Sequence, residues 1–168
     1  VGDYNNDGWM DYYMTNIRFN WFMVNEGKGK YFVNRVKELG CNYVAISWGA
    51  NFADFDQDGD LDLFVANGDL NPNCNPIGDY FFENTGGKFQ ETAKAVGLQD
   101  YGIGRGSVVF DYDKDGDLDL LVVNQESICP DYPSSSVTRL YRNDSKVGNW
   151  LSVALHGVDA ESNGIGSR

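Results

Sequence analysis

Histidine occurs once, at His156, and cysteine three times, at Cys41, Cys74 and Cys129, without a CxxC or a Cys/His pair. A zinc site is therefore not expected, because zinc is held by Cys and His at short spacings. Basic residues are scarce: 13 Lys and Arg stand against 25 acidic residues, for a formal net charge of -12. That balance argues against nucleic acid and anionic membrane surfaces as partners, since phosphate recognition needs clustered Lys and Arg. No apolar run approaches the ~18 residues of a membrane-spanning helix. The four prolines all lie in two stretches, 67–79 and 124–137.

What the chain has is aspartate, glycine and aromatics. Hydrophobic residues make up 42% and aromatics 14% of 168 residues, enough for one domain with a packed core rather than a disordered acidic tail. The chain opens at Val1 with Asp3 already inside a motif and stops at Arg168 inside another patterned stretch. It reads as a fragment or a processed product, so a targeting segment would be missing in any case.

One motif occurs three times. "DYNNDGWMDYYMTN" starts at Asp3, "DFDQDGDLDLFVAN" at Asp54 and "DYDKDGDLDLLVVN" at Asp111, spaced by 51 and 57 residues. Each apolar run is followed by a loop and then by an aromatic-rich stretch ending in Asn: "NWFMVN" (20–25), "DYFFEN" (79–84) and "TRLYRN" (138–143). A turn and another short strand follow, then segments ending at glycine, "VNRVKELG" (33–40) and "TAKAVGL" (92–98). Small residues in "WGANFA" (48–53) and "GRGSVVF" (104–110) lead into the next aspartate cluster. One unit therefore reads strand, acidic loop, strand, loop, strand, turn, strand. Val, Phe, Tyr and Leu dominate the strands, and Gly, Asn and Asp the turns. Four short antiparallel strands per unit of about 50 residues describe a β-propeller blade. The expected fold is all-β, an incomplete propeller of about three repeats at 1–47, 48–103 and 104–148, the first lacking its first strand.

Within each acidic loop, positions 1, 3, 5 and 9 carry side-chain oxygens. They are Asp3, Asn5, Asp7 and Asp11; Asp54, Asp56, Asp58 and Asp62; and Asp111, Asp113, Asp115 and Asp119. Position 6 is always glycine (Gly8, Gly59, Gly116), which lets the chain double back around an ion. Position 7 (Trp9, Asp60, Asp117) would add a backbone carbonyl. Many hard oxygen ligands without His or Cys suit Ca²⁺, up to three ions. Thirteen of the 25 acidic residues lie in these loops, and without a cation like charges crowd at short range. A metal-free, solvated Asp-rich turn is the plain alternative for one such loop; three copies in register argue against it. An EF-hand is excluded, because position 12 is Met14, Val65 or Val122 rather than Glu and a strand pattern follows.

At these residues the chain resembles the FG-GAP/VCBS repeat family, the calcium-loop propeller blades also found in integrin α-chains, most closely along "GRGSVVFDYDKDGDLDLLVVN" (104–124). The final stretch "NWLSVALHGVDAESNGIGSR" (149–168) resembles the start of an ASPIC/UnbV domain, which follows such repeats in secreted proteins similar to cartilage acidic protein and in bacterial relatives. The resemblance implies a calcium-binding propeller in which Asp111, Asp113, Asp115 and Asp119 fall on the calcium positions. Asn5 departs from that pattern and leaves the first loop with less charge.

The long loops 67–79 and 124–137 belong to the face opposite the acidic loops, where binding to a protein or glycan ligand is expected. Cys74 and Cys129 lie in these loops and Cys41 in a link on the same face. Cys41–Cys74, Cys74–Cys129 and no disulfide at all remain open alternatives. Asn143-Asp-Ser is a glycosylation sequon whose occurrence by chance is no less expected than its use. Catalysis is not expected: His156 reads as an exposed or structural histidine at a strand end, and the paired carboxylates belong to the loops. Trp9, Trp21, Trp48 and Trp150 have the geometry to stack on sugars but read more simply as core. The functional expectation is a secreted or cell-surface adhesion or interaction module. The alternatives are a building block of an extracellular fibre or open array, and a carbohydrate-active propeller enzyme.

Overall fold

The structure, a computed structural model, describes residues 1–70, 74–132, 137–145, 150, 151, 153, 154, 156 and 157. Among these residues eleven strands and one short helix follow in order: β1 Tyr12–Met14, β2 Ile17–Phe19, β3 Trp21–Val24, β4 Val33–Asn34, β5 Val44–Ala53, β6 Asp62–Asn67, β7 Tyr80–Asn84, β8 Phe89–Glu91, α1 Ala93–Val96, β9 Ile103–Phe110, β10 Asp119–Gln125 and β11 Arg139–Tyr141. The strands form antiparallel sheets ordered β1-β3-β4, β2-β5-β6-β7-β8 and β11-β10-β9. The middle repeat shows the full expected blade of four consecutive strands, β5 to β8. The first lacks its first strand, as the sequence predicts.

Two elements depart from the sequence reading. Residues 17–19, read as loop, form β2 and pair with the start of β5, Ile17 opposite Ile46. The segment 93–96 is a single helical turn that ends at Gly97, φ 80°. His156 is exposed, one of the two placements expected of it.

The sheets stack face to face through apolar rows. All six residues of β6 are buried, because both faces of this strand are covered and its sequence is accordingly a continuous apolar run after Asp62. Leu63 and Val65, with Phe82 and Phe89, face the first repeat and meet Tyr4, Phe22, Val24, Val36 and Leu39. Phe64 and Ala66, with Phe81 and Ala93, face the third and meet Leu120 and Val122. Register explains the division: Leu63 pairs with Phe82 and Phe64 with Phe81, so neighbouring pairs point to opposite faces. Near the first strands of repeats two and three the backbones themselves touch. A Cβ on Gly68 would lie 2.7 Å from the Gly104 amide nitrogen, so a side chain there would push the sheets apart.

The core aromatics are phenylalanines and Tyr4, not tryptophan. Trp9, Trp21, Trp48 and Trp150 are all between 38% and 53% exposed, which overturns the reading of these four as core.

Candidate metal centre

The three acidic loops are hairpin turns of one register. The residue before position 1 pairs with position 9 in each: Gly2 with Asp11 as an isolated bridge, Ala53 with Asp62, and Phe110 with Asp119. Gly8, Gly59 and Gly116 have φ of 87°, 94° and 97°, the left-handed region in which a side chain is strained. The loop is held by its own aspartates. Asp54 accepts the Asp58 and Gly59 amides, each at 3.1 Å. Asp3 does the same for Asp7 at 3.0 Å and Gly8 at 2.8 Å. Asp111 accepts Gly116 at 3.2 Å and, one residue earlier than its counterparts, Lys114 at 2.7 Å. Position 5 accepts the amide two residues on, as in Asp58 with Asp60 at 2.8 Å.

This folding converges the carboxylates. One oxygen each from Asp54, Asp56 and Asp58 lies within 4.8 Å of the others, and Asp111, Asp113 and Asp115 repeat the arrangement. The pKa of Asp56 is raised by burial first and then by the charges of Asp58 and Asp54. That of Asp113 is raised by loss of solvent first, then by Asp115 and Asp119. In the first loop Asn5 replaces one carboxylate and donates to Asp7 Oδ2 at 3.2 Å, which relieves the crowding that a cation would relieve elsewhere.

Position 9 is built differently. Asp11, Asp62 and Asp119 are 0%, 1% and 1% exposed; each accepts an amide at the end of the third strand, and Asp62 and Asp119 accept one from the turn as well. Asp62 accepts Phe55 N–H at 3.2 Å and Asn84 N–H at 2.9 Å; Asp119 accepts Tyr112 at 2.9 Å and Asn143 at 2.8 Å. Asp11 Oδ1 accepts Asn25 N–H at 2.7 Å, but no hydrogen bond meets Oδ2, an orphaned buried oxygen. Its pKa is raised by burial first, and Asp7 and Asp3 add to the rise. Asp62 is pushed up to about 7, mainly by burial, against the pull of its two amide donors. An all-oxygen donor set, two crowded carboxylate triads and one buried oxygen without a donor fit a hard divalent cation. At position 7 the side chains face elsewhere: Asp60 accepts Gly86 N–H at 3.0 Å and Asp117 takes a donor from the preceding loop. Their side chains thus serve contacts between loops, and only the backbone carbonyls at position 7 are left as candidate cation ligands.

The family model for the FG-GAP-like repeat matches residues 3–65 and again 54–122. The chain belongs to the FG-GAP-like repeat family. Each match runs from one acidic loop through the next, and such repeats build β-propeller-like interaction modules. The match stops short of residues 149–168, most of which lie outside the described residues. No curated protein matches the chain.

Two sets of residues in these FG-GAP-like repeats were not assigned a role from sequence. The first is the Asn that ends each third strand. Asn84 Nδ2 donates to Leu61 O in its own loop at 3.1 Å and to Tyr4 O in the preceding loop at 2.9 Å. Asn143 does the same with Leu118 O at 3.3 Å and Phe55 O at 2.7 Å. The Asn143 sequon amide is thus already committed to two carbonyls. The second set is position 4. Asn6 Nδ2 donates to Gly59 O at 3.1 Å and Asp60 Oδ1 at 3.0 Å. Gln57 Nε2 donates to Gly116 O at 3.1 Å and Asp117 Oδ1 at 2.7 Å. The signal was present: position 7 is acidic only in the two loops that follow a loop with an amide at position 4.

On the opposite face the long loops are joined by a disulfide, Cys74–Cys129, which settles the pairing. Cys41 is a free, buried thiol in the core between repeats one and two. Arg105 lies 4.4 Å above the Trp48 ring and donates to Gly68 O and Asp69 O. With Thr15, Asn16 and Ile17, these two residues line a cavity of about 430 Å³.

Proposed function

We propose that this chain is a segment of an extracellular, calcium-binding adhesion or interaction module. The observation that carries the reading is the convergence of Asp54, Asp56 and Asp58, repeated by Asp111, Asp113 and Asp115, on oxygens within 4.8 Å of one another. The proposed ligands are the position 1, 3, 5 and 9 side chains and the position 7 carbonyls of each loop. Calcium here is structural. An ion that binds only the folded chain stabilises it by RT ln(1 + [Ca]/Kd), about 2.7 kcal/mol per site at 100 Kd. Millimolar extracellular calcium suits even weak sites, and the Cys74–Cys129 disulfide supports an oxidising compartment. The ligand, a protein or a glycan, binds the face opposite the acidic loops, where exposed Trp48 and Ile17 border a cavity. Residues 149–168 open an ASPIC/UnbV-like segment. Calorimetric titration of calcium into the full chain tests the reading, with no heat of binding as the result against it.

A second reading is a building block of a fibre or open array. Val108, Phe110, Val123 and Leu140 on the third sheet, and Met14 and Trp21 on the first, are 38–51% exposed. These outer sheet faces resemble the faces that stack inside the molecule. Filaments in electron images of the native protein would favour it; discrete particles would count against it. Among the described residues no helix is long and apolar enough to cross a membrane.

A further inference from the structure

We propose that Asn6 and Gln57 are coupling residues, through which a cation held in one acidic loop raises the affinity of the next. The inference rests on the calcium reading above and concerns how its sites act together.

Position 4 lies between positions 3 and 5, whose oxygens a cation would fix. Asn6 and Gln57 each have φ of 56°, a conformation uncommon for residues with a side chain and maintained only by the turn around them. The side chain at position 4 therefore points where the ligand turn sets it. In both cases it ends on the same two groups of the following loop: the position 6 carbonyl and the position 7 carboxylate, Gly59 and Asp60 for Asn6, Gly116 and Asp117 for Gln57. Those groups flank the position 7 carbonyl proposed to ligate the next ion. The amide also supplies a donor to a carboxylate crowded by like charge.

A return link runs the other way. Asn84, whose N–H holds Asp62 in the second loop, donates its side chain to Tyr4 O in the first. Asn143 ties Asp119 in the third loop to Phe55 O in the second. Side-chain amides thus bridge neighbouring loops by donating to their carbonyls and carboxylates, and ordering one loop orders part of the other. By linkage the effect is reciprocal.

The test is calcium titration of the full chain by calorimetry. The wild type is expected to bind with a Hill coefficient above 1. In Asn6→Ala and Gln57→Ala the number of ions should stay the same, the Hill coefficient should fall toward 1, and the half-saturating calcium should rise about 5-fold. Asn6→Gln, which copies the second loop, should keep the wild-type curve. Asp54→Asn, which disables the second loop, should weaken the remaining sites, and adding Gln57→Ala should bring no further loss. Wild-type titration curves from both alanine variants would overturn the coupling while leaving the calcium sites in place. No binding by the wild type would instead overturn the calcium reading, and the coupling with it.

Discussion

Gln57 Nε2 lies 2.7 Å from Oδ1 of Asp117, sixty positions along the chain and in the next acidic loop. The same amide also reaches Gly116 O, so two hydrogen bonds, one of them to a charged acceptor, cross between stacked sheets. Gln57→Ala is expected to cost about 1–3 kcal/mol in calcium. At about 2–4 °C per kcal/mol for a chain of this size, the loss is measurable as a lower melting temperature.

Asp62 is the tie between its loop and β7. Asp62→Ala would strip acceptors from two backbone amides, Phe55 and Asn84, both buried. About 1–3 kcal/mol for each amide left without a partner makes this the most damaging single change in the second loop. Urea unfolding should show a lower midpoint than for Asp60→Ala, whose side chain meets an exposed neighbour, Asn6.

Much of the fold was legible in the sequence, and the rest escaped for identifiable reasons. The strand–loop–strand unit was readable because an apolar run follows each acidic loop, in β6 where both faces are covered and in β10 where one face is covered and the other exposes Val123. The acidic loops were readable because five aspartates alternating around a glycine crowd more charge than a turn needs for solvation. The links of Asn6 and Gln57 left only one trace in the sequence, the acidic residue at position 7 of the following loop, since the contacts themselves depend on which loop lies beside which in space. The Asn at 25, 84 and 143 was visible as a repeat, but the two carbonyl partners of Asn84 and of Asn143 come from different repeats. Tryptophan misled because Trp21 sits on an outer sheet face and Trp48 lines an open cavity beneath Arg105, while the stacked interior is filled by Phe22, Phe64 and Phe82, each fully buried. The strand at 17–19 escaped because it is only three residues long and all three are exposed, so Ile17 and Phe19 form no buried row.

Asp79 gives the fold a pH dependence of its own, away from the acidic loops. It is 1% exposed; Oδ1 accepts Asn67 N–H at 2.7 Å and Oδ2 has no donor. Burial chiefly, and the charge of Asp100, push it up to about 8. The folded chain therefore holds a proton that the unfolded chain releases near pH 4. Its contribution to stability is fully present below about pH 4 and is lost as pH rises toward 8. Asp79→Asn keeps the Oδ1 acceptor and needs no proton. At pH 8 it should be more stable than wild type by about 1–3 kcal/mol, with the gain shrinking toward pH 5 in parallel urea titrations.

The Cys74–Cys129 disulfide closes a loop with a sequence separation of 55, and chain entropy assigns such a closure about 4 kcal/mol. Reduction, or Cys74→Ser, should lower the thermal midpoint by a clear margin. Thiol titration of the unfolded, unreduced chain should find one reactive thiol, Cys41. Three thiols without reductant would contradict the pairing.

The central claim is that the acidic loops are built around calcium. The measurement that tests it most directly is the melting temperature of the full chain in millimolar calcium, repeated after chelation and repeated with Asp58→Ala and Asp115→Ala. The account predicts a large fall on chelation, restored by calcium, and a smaller calcium-dependent rise in each variant than in the wild type. A melting curve that chelation leaves unchanged would contradict it.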